Sequence, residues 1–90
     1  MDEDLIMEMV KMNLAIAGNT WDAYLTHLIE AAQESIAREG IILTDTMECT
    51  QAVVMYAAYL YRKRDSGEGM PRMLRYALNN LLFAQKAVVT

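Results

Sequence analysis

"VVMYAAYLYRKRDSGEGMPRML", residues 53–74, is where the organisation of this chain is decided. Its first nine residues are all apolar and belong to a helix predicted over about residues 46–63. Three cations, Arg62, Lys63 and Arg64, then run into a Gly-flanked acidic turn. Pro71 begins a further helix, about 71–87, at a position where its missing N–H costs nothing. In the upstream helix Cys49, Val53, Tyr56 and Leu60 make one stripe, while Val54, Met55, Tyr59 and Tyr61 lie elsewhere. A helix apolar nearly all round is either central to a bundle or shared with a neighbouring subunit. In the downstream helix Leu74, Ala77, Leu78, Leu81 and Leu82 are expected to pack inward, and "AVVT" (87–90) reads as a tail.

Two more helices precede this stretch. The first covers about residues 3–15, with acids at its N-terminus and Leu5, Met9, Met12 and Ile16 at 4-3-4 spacing. Leu14 is also assigned to the core. In "AGNT" (17–20), Gly18 suits the left-handed closing residue, and Asn19 or Thr20 is expected to cap the next helix. That helix, about 20–38, aligns Tyr24 or Leu25 with Leu28, Ala32 and Ile36 on one face, with Ile29 beside them, and Gly40 stops it. "IIL" (41–43) is a short extended link, expected to tuck under the bundle. Asp45 then caps the third helix, with Glu48 completing a capping box. The predicted fold is all-α: one domain, residues 1–90, built as a small bundle of about four helices.

Composition narrows the function. Of the 90 residues, 54% are apolar, more than one small core requires, so apolar surface is expected to remain for a neighbour. Packing against copies of itself is a common remedy for a chain too short to bury much of its surface. The net charge of −4 is unevenly spread, −8 over residues 1–61 and +4 over 62–90. Opposed ends of this kind favour head-to-tail stacking or docking on an acidic partner. An acidic whole argues against general affinity for DNA phosphates. Cys49 stands alone, which fits a reducing compartment. Asp2, Glu3 and Asp4 put acid where an export signal needs base, and no apolar run approaches the ~20 residues of a membrane span. The expectation is a soluble protein made in the cytoplasm.

Catalytic chemistry finds little support. His27 has no Cys or second His at metal spacing, so a surface position suits it better than a ligand role. Cys49 lies in an apolar stripe without a nearby histidine, and a buried, inert thiol is the expectation. Glu30, Glu34, Glu39 and Glu48 read as solvated positions rather than a paired-carboxylate site. No phosphate loop, nucleophile elbow or Cys pair occurs. Neither a cofactor nor a metal is expected. The eight methionines suit adaptable packing; Met9 and Met12 read as core filler, whereas Met47, Met55, Met70 and Met73 could be shared with neighbours. Arg62, Lys63 and Arg64 complement the dipole and the orphan carbonyls of a helix C-terminus. The alternative role for them is contact with a partner or with nucleic acid.

"VKMNLAIAGNTWDAYLTHLIEAAQESI" (10–36) resembles the opening of the head–tail connector, or adaptor, proteins of long-tailed bacteriophages. The matching positions are Val10, Lys11, Leu14, Ile16, Asp22, Leu25, Leu28, Ile29, Ala32 and Ile36. "VVMYAAYLYRKR" (53–64), a short loop and the Pro-led "MPRMLRYALNNLL" (70–82) continue the likeness. The resemblance implies an all-α structural subunit of the virion, placed at the head–tail interface after DNA packaging. It implies a homo-oligomer, a dodecameric ring that matches the portal's symmetry, with the portal protein and the stopper or tail-completion protein as partners. DNA would pass through its channel without sequence-specific binding. Residues 62–74 would then be a hinge that frees the fourth helix to reach the portal. Interface positions on this reading are Tyr59, Arg62, Lys63, Arg64, Met70, Arg72 and Arg75. The competing reading is a small helical DNA-binding or regulatory module that uses the basic C-terminal third.

Overall fold

In a computed structural model, which describes residues 2–67 and 69–89, the chain folds into four helices with no strand among the described residues. They are α1 (Glu3–Leu14), α2 (Asp22–Arg38), α3 (Met47–Ser66) and α4 (Arg72–Val89). The protein is a compact all-α bundle. Glu68 and Thr90 lie outside the described residues, and the helix runs through most of the expected tail.

Helix α3 packs against all three others, and α1 also packs against α2. Its buried positions are Cys49, Thr50, Ala52, Val53, Val54, Ala57 and Ala58, more than half of its circumference. That resolves its all-round apolar pattern: the helix is central. The three alanines matter because interhelical separation follows the size of the side chains at the contact. Tyr56, Tyr59 and Leu60 lie half-buried against this core, and so does Leu14.

Each outer helix contributes one stripe. From α2 come Leu25, Leu28, Ile29, Ala32 and Ile36, and from α4 come Leu74, Leu78 and Leu81, all buried. In α1 the buried pair is Ile6 and Val10; of the expected Leu5–Met9–Met12–Ile16 stripe, Met9 and Ile16 pack half-buried against the core. Met12 is 81% exposed and Leu5 is exposed as well. Helix α1 has apolar residues on two faces, and packing on α2 and α3 chooses between them.

The termini correct three further expectations. Ala15, with φ 57°, closes α1 in the left-handed conformation, and the Ile16 N–H reaches back to the Lys11 carbonyl at 2.9 Å. Gly18 also has positive φ, but within the loop. Neither Asn19 nor Thr20 caps α2; Trp21 occupies that position without a side-chain cap. The loop is held instead by Lys11, whose Nζ donates to the Gly18 carbonyl at 2.9 Å and pairs with Asp22 at 2.5 Å. Thr46, not Asp45, caps α3 by accepting from the Cys49 N–H at 3.2 Å. The shift leaves Glu48 one place short of closing a capping box.

The link at 41–43 tucks Ile41 into the core. Its backbone finds a partner in the Gln85 side chain. The Ile42 N–H donates to Gln85 Oε1 at 2.8 Å, and Gln85 Nε2 donates to the Ile42 carbonyl at 2.7 Å. With the Arg75–Glu39 ion pair, this amide clamp fixes α4 to the segment after α2.

Leu78→Ala should lower stability by about 2–5 kcal/mol through loss of a fully buried side chain. Phe83→Ser, on the outer face of the same helix, should change it by less than about 0.5 kcal/mol. Urea unfolding of the two variants checks the division. A large loss from Phe83→Ser would mean that the outer face of α4 supports the fold.

Candidate functional site

The basic segment forms the last turns of α3, which extends to Ser66 and is closed by Gly67 at φ 66°. The cations are thus carried on regular helix rather than in the turn. Gly67 supplies the left-handed closing conformation there, which a residue with a Cβ adopts only at a cost. The part of the expected hinge at Glu68 lies outside the described residues.

Each of the three cations has a protein group beside it. One Arg62 Nη donates to the Asn13 carbonyl at 3.1 Å and to Asn13 Oδ1 at 2.9 Å. Asn13 lies in the last turn of α1, so the guanidinium meets one of that helix's orphan carbonyls at the negative end of its dipole. The Arg64 guanidinium lies 4.6 Å from the Tyr61 ring centroid, 5.2 Å from Trp21 and 5.4 Å from Tyr24. Those rings also touch one another, Trp21 edge-on to Tyr24 and Tyr24 tilted against Tyr61. Lys63 stands over Tyr59 at 5.7 Å, and Tyr59 packs edge-on against Tyr56. Cation–π contacts of this kind contribute about 0.5–1 kcal/mol each at exposed positions.

The cluster therefore fastens the end of α3 to α1 and to the loop before α2. Helical spacing announces Tyr59 for Lys63 and Tyr61 for Arg64, but not Asn13 or Trp21, which lie more than forty residues upstream. The remaining interface candidates divide. Met70 is half-buried against the core, and Arg75 pairs with Glu39 across to the end of α2. Arg72 is exposed at the start of α4.

The cleft beside the cluster, lined by Asn13, Tyr59, Arg62, Lys63 and Leu74, encloses 140 Å³. Ligand clefts are typically about 300–1,000 Å³, so it is small for a cofactor. Among the described residues no group of His, Cys, Asp and Glu is arranged to hold a metal ion. Cys49 is buried at the start of α3. Burial pushes its thiol pKa up, but hydrogen bonding from the Thr44 backbone and from the Thr46 and Thr44 hydroxyls outweighs that, so the net shift is downward. His27 lies exposed on α2.

The sequence singled out Met73 and Arg72 as interface candidates but not the face they belong to, the outer face of α4. Met73, Tyr76 and Phe83 lie on it, each more than half exposed, with Arg72 and Lys86 flanking them. Beside it, a groove between α4 and the start of α3 is lined by Met47, Ala77, Asn80 and Leu81. The helix's inward stripe is satisfied without these residues. Comparison with protein-family models, curated proteins and solved structures finds no match to this chain.

Replacing Arg62, Lys63 and Arg64 together by glutamate should lower stability by about 2–4 kcal/mol, through lost aromatic contacts, lost bonds to Asn13 and an unfavourable helix dipole. Thermal melting followed by circular dichroism reads this. An unchanged melting temperature would mean that the cluster is a solvated helix end.

Proposed function

We propose that this chain is a structural assembly subunit, specifically a connector between the portal and the stopper or tail-completion proteins of a long-tailed phage. It works as a ring of copies that completes the head and leaves a channel for DNA. The observation that carries this reading is the exposed apolar face of α4. Met73, Tyr76 and Phe83 share one side of a helix whose opposite side already closes the core. Large exposed apolar side chains gathered on one side of a helix are characteristic of association sites. The likeness of residues 10–36, 53–64 and 70–82 to the connector family supplies the identity of the assembly.

The intramolecular engagement of the basic cluster supports this reading over a DNA-binding module. Arg62, Lys63 and Arg64 are exposed, but Arg62 is already bonded to Asn13 and Arg64 already stacked on aromatic rings, whereas a nonspecific nucleic-acid surface keeps its cations free for phosphates. The net charge of −4 suits a wall along which DNA slides rather than one that holds it.

Mixing the purified protein with portal assemblies tests the proposal. The expected outcome is saturable binding with one subunit per portal subunit, visible as an added ring by electron microscopy. Phe83→Asp should leave the melting temperature unchanged but lower the number of copies held per portal about tenfold or more, because each copy in the ring also needs its neighbour. Failure to bind portal, together with salt-sensitive retention of random duplex DNA, would replace this reading with the nucleic-acid one.

A further inference from the structure

We infer that neighbouring copies join head to tail by packing the outer face of α4 on the outer face of α1. The inference rests on the reading of the chain as an assembly subunit and names the two surfaces that meet.

The α1 face that packing leaves free carries Leu5 and Met12, both exposed, with Asp4 and Glu8 on the same side. The α4 face carries Met73, Tyr76 and Phe83, flanked by Arg72 and Lys86. Both are apolar stripes on regular helices, one edged by acid and the other by base. The two run about 10 and 15 Å along their axes, comparable lengths for a helix–helix contact. The pairing sets two acids of the acidic part of the chain, Asp4 and Glu8, against two cations of the basic part, Arg72 and Lys86.

Charge selects the occupant. Two α4 faces brought together would oppose Arg72 and Lys86 to their own copies, and two α1 faces would oppose Asp4 and Glu8. Only α1 against α4 places unlike charges around a shared apolar centre. Helices α1 and α4 each pack on α3 and are separate faces of the subunit, so the contact joins unlike surfaces. A contact of that type propagates, and it closes into a ring when the rotation per subunit allows. It also gives a function to the apolar residues of α1 that the core does not use.

Charge reversal with complementation tests this without portal, so that loss of this contact and loss of portal binding are read separately. Three proteins are compared by sedimentation velocity across a concentration series at low ionic strength: the parent, an α4 variant (Arg72→Glu with Lys86→Glu) and an α1 variant (Asp4→Lys with Glu8→Lys). The parent should associate beyond a dimer, and each variant alone should associate about tenfold or more weakly. An equimolar mixture of the two variants should regain association, because every contact in an alternating assembly then pairs opposite charges. Should the α1 variant not fold, as melting would reveal, Met12→Ser and Phe83→Ser should each weaken association at unchanged charge. Three results would overturn the inference. They are a parent that stays monomeric throughout, an α1 variant that still forms a discrete dimer, and a mixture no better associated than either variant alone.

Discussion

Everything in this fold depends on the burial of α3. A single helix that presents alanine and valine over more than half its circumference lets three others approach it closely, and each of those needs only one inward stripe. Such an arrangement closes a core from few residues, which matters in a chain of this length. It also leaves three helices with an outer face that the fold does not use. On α2 that face is largely polar. On α1 and α4 it retains leucine, methionine, tyrosine and phenylalanine, and those faces are where assembly is proposed to act.

The basic end of α3 follows from the same geometry. A central helix must end among the ends of its neighbours, and here the ends are those of α1 and the loop before α2. Arg62 meets the negative end of α1, and Arg64 lies among Trp21, Tyr24 and Tyr61. Lys11 has the same task from the other direction, since it holds the loop through Gly18 and Asp22. Cations that look available in the sequence are exposed and at the same time serve as ties within the fold, Arg62 to Asn13 and Arg64 to Trp21 and Tyr24.

The sequence made some of this legible and hid the rest for physical reasons. Helices α2 and α4 each have one inward stripe whose spacing is plain, and Leu25, Leu28, Ile29, Ala32, Ile36, Leu74 and Leu81 are indeed buried. Helix α1 carries apolar residues on two sides, so its period fits two registers, and only contact with α2 and α3 selects Ile6 and Val10 over Leu5 and Met12. The α3 cap moved by one residue because Asp45 and Thr46 are both competent acceptors. The Gln85 clamp on Ile42 and the approach of Trp21 and Tyr24 to Arg64 are long-range contacts that no local signal encodes, whereas the Tyr61 ring lies one turn before Arg64 on the same helix. Surplus apolar content did signal an unpartnered surface, but only the fold says where it lies.

The central claim is that α3 holds the bundle together while α1 and α4 keep outer faces free for the proposed association. Amide hydrogen exchange of the same protein, dilute and then assembled, tests it most directly. In dilute solution the α3 amides around Val53–Leu60 should be the slowest, exchanging only through global unfolding. On assembly, protection should rise in α1 and α4 and leave the α3 pattern unchanged. Fast exchange in α3 of the dilute protein, or protection gained on assembly chiefly at Arg62–Arg64, would contradict the account.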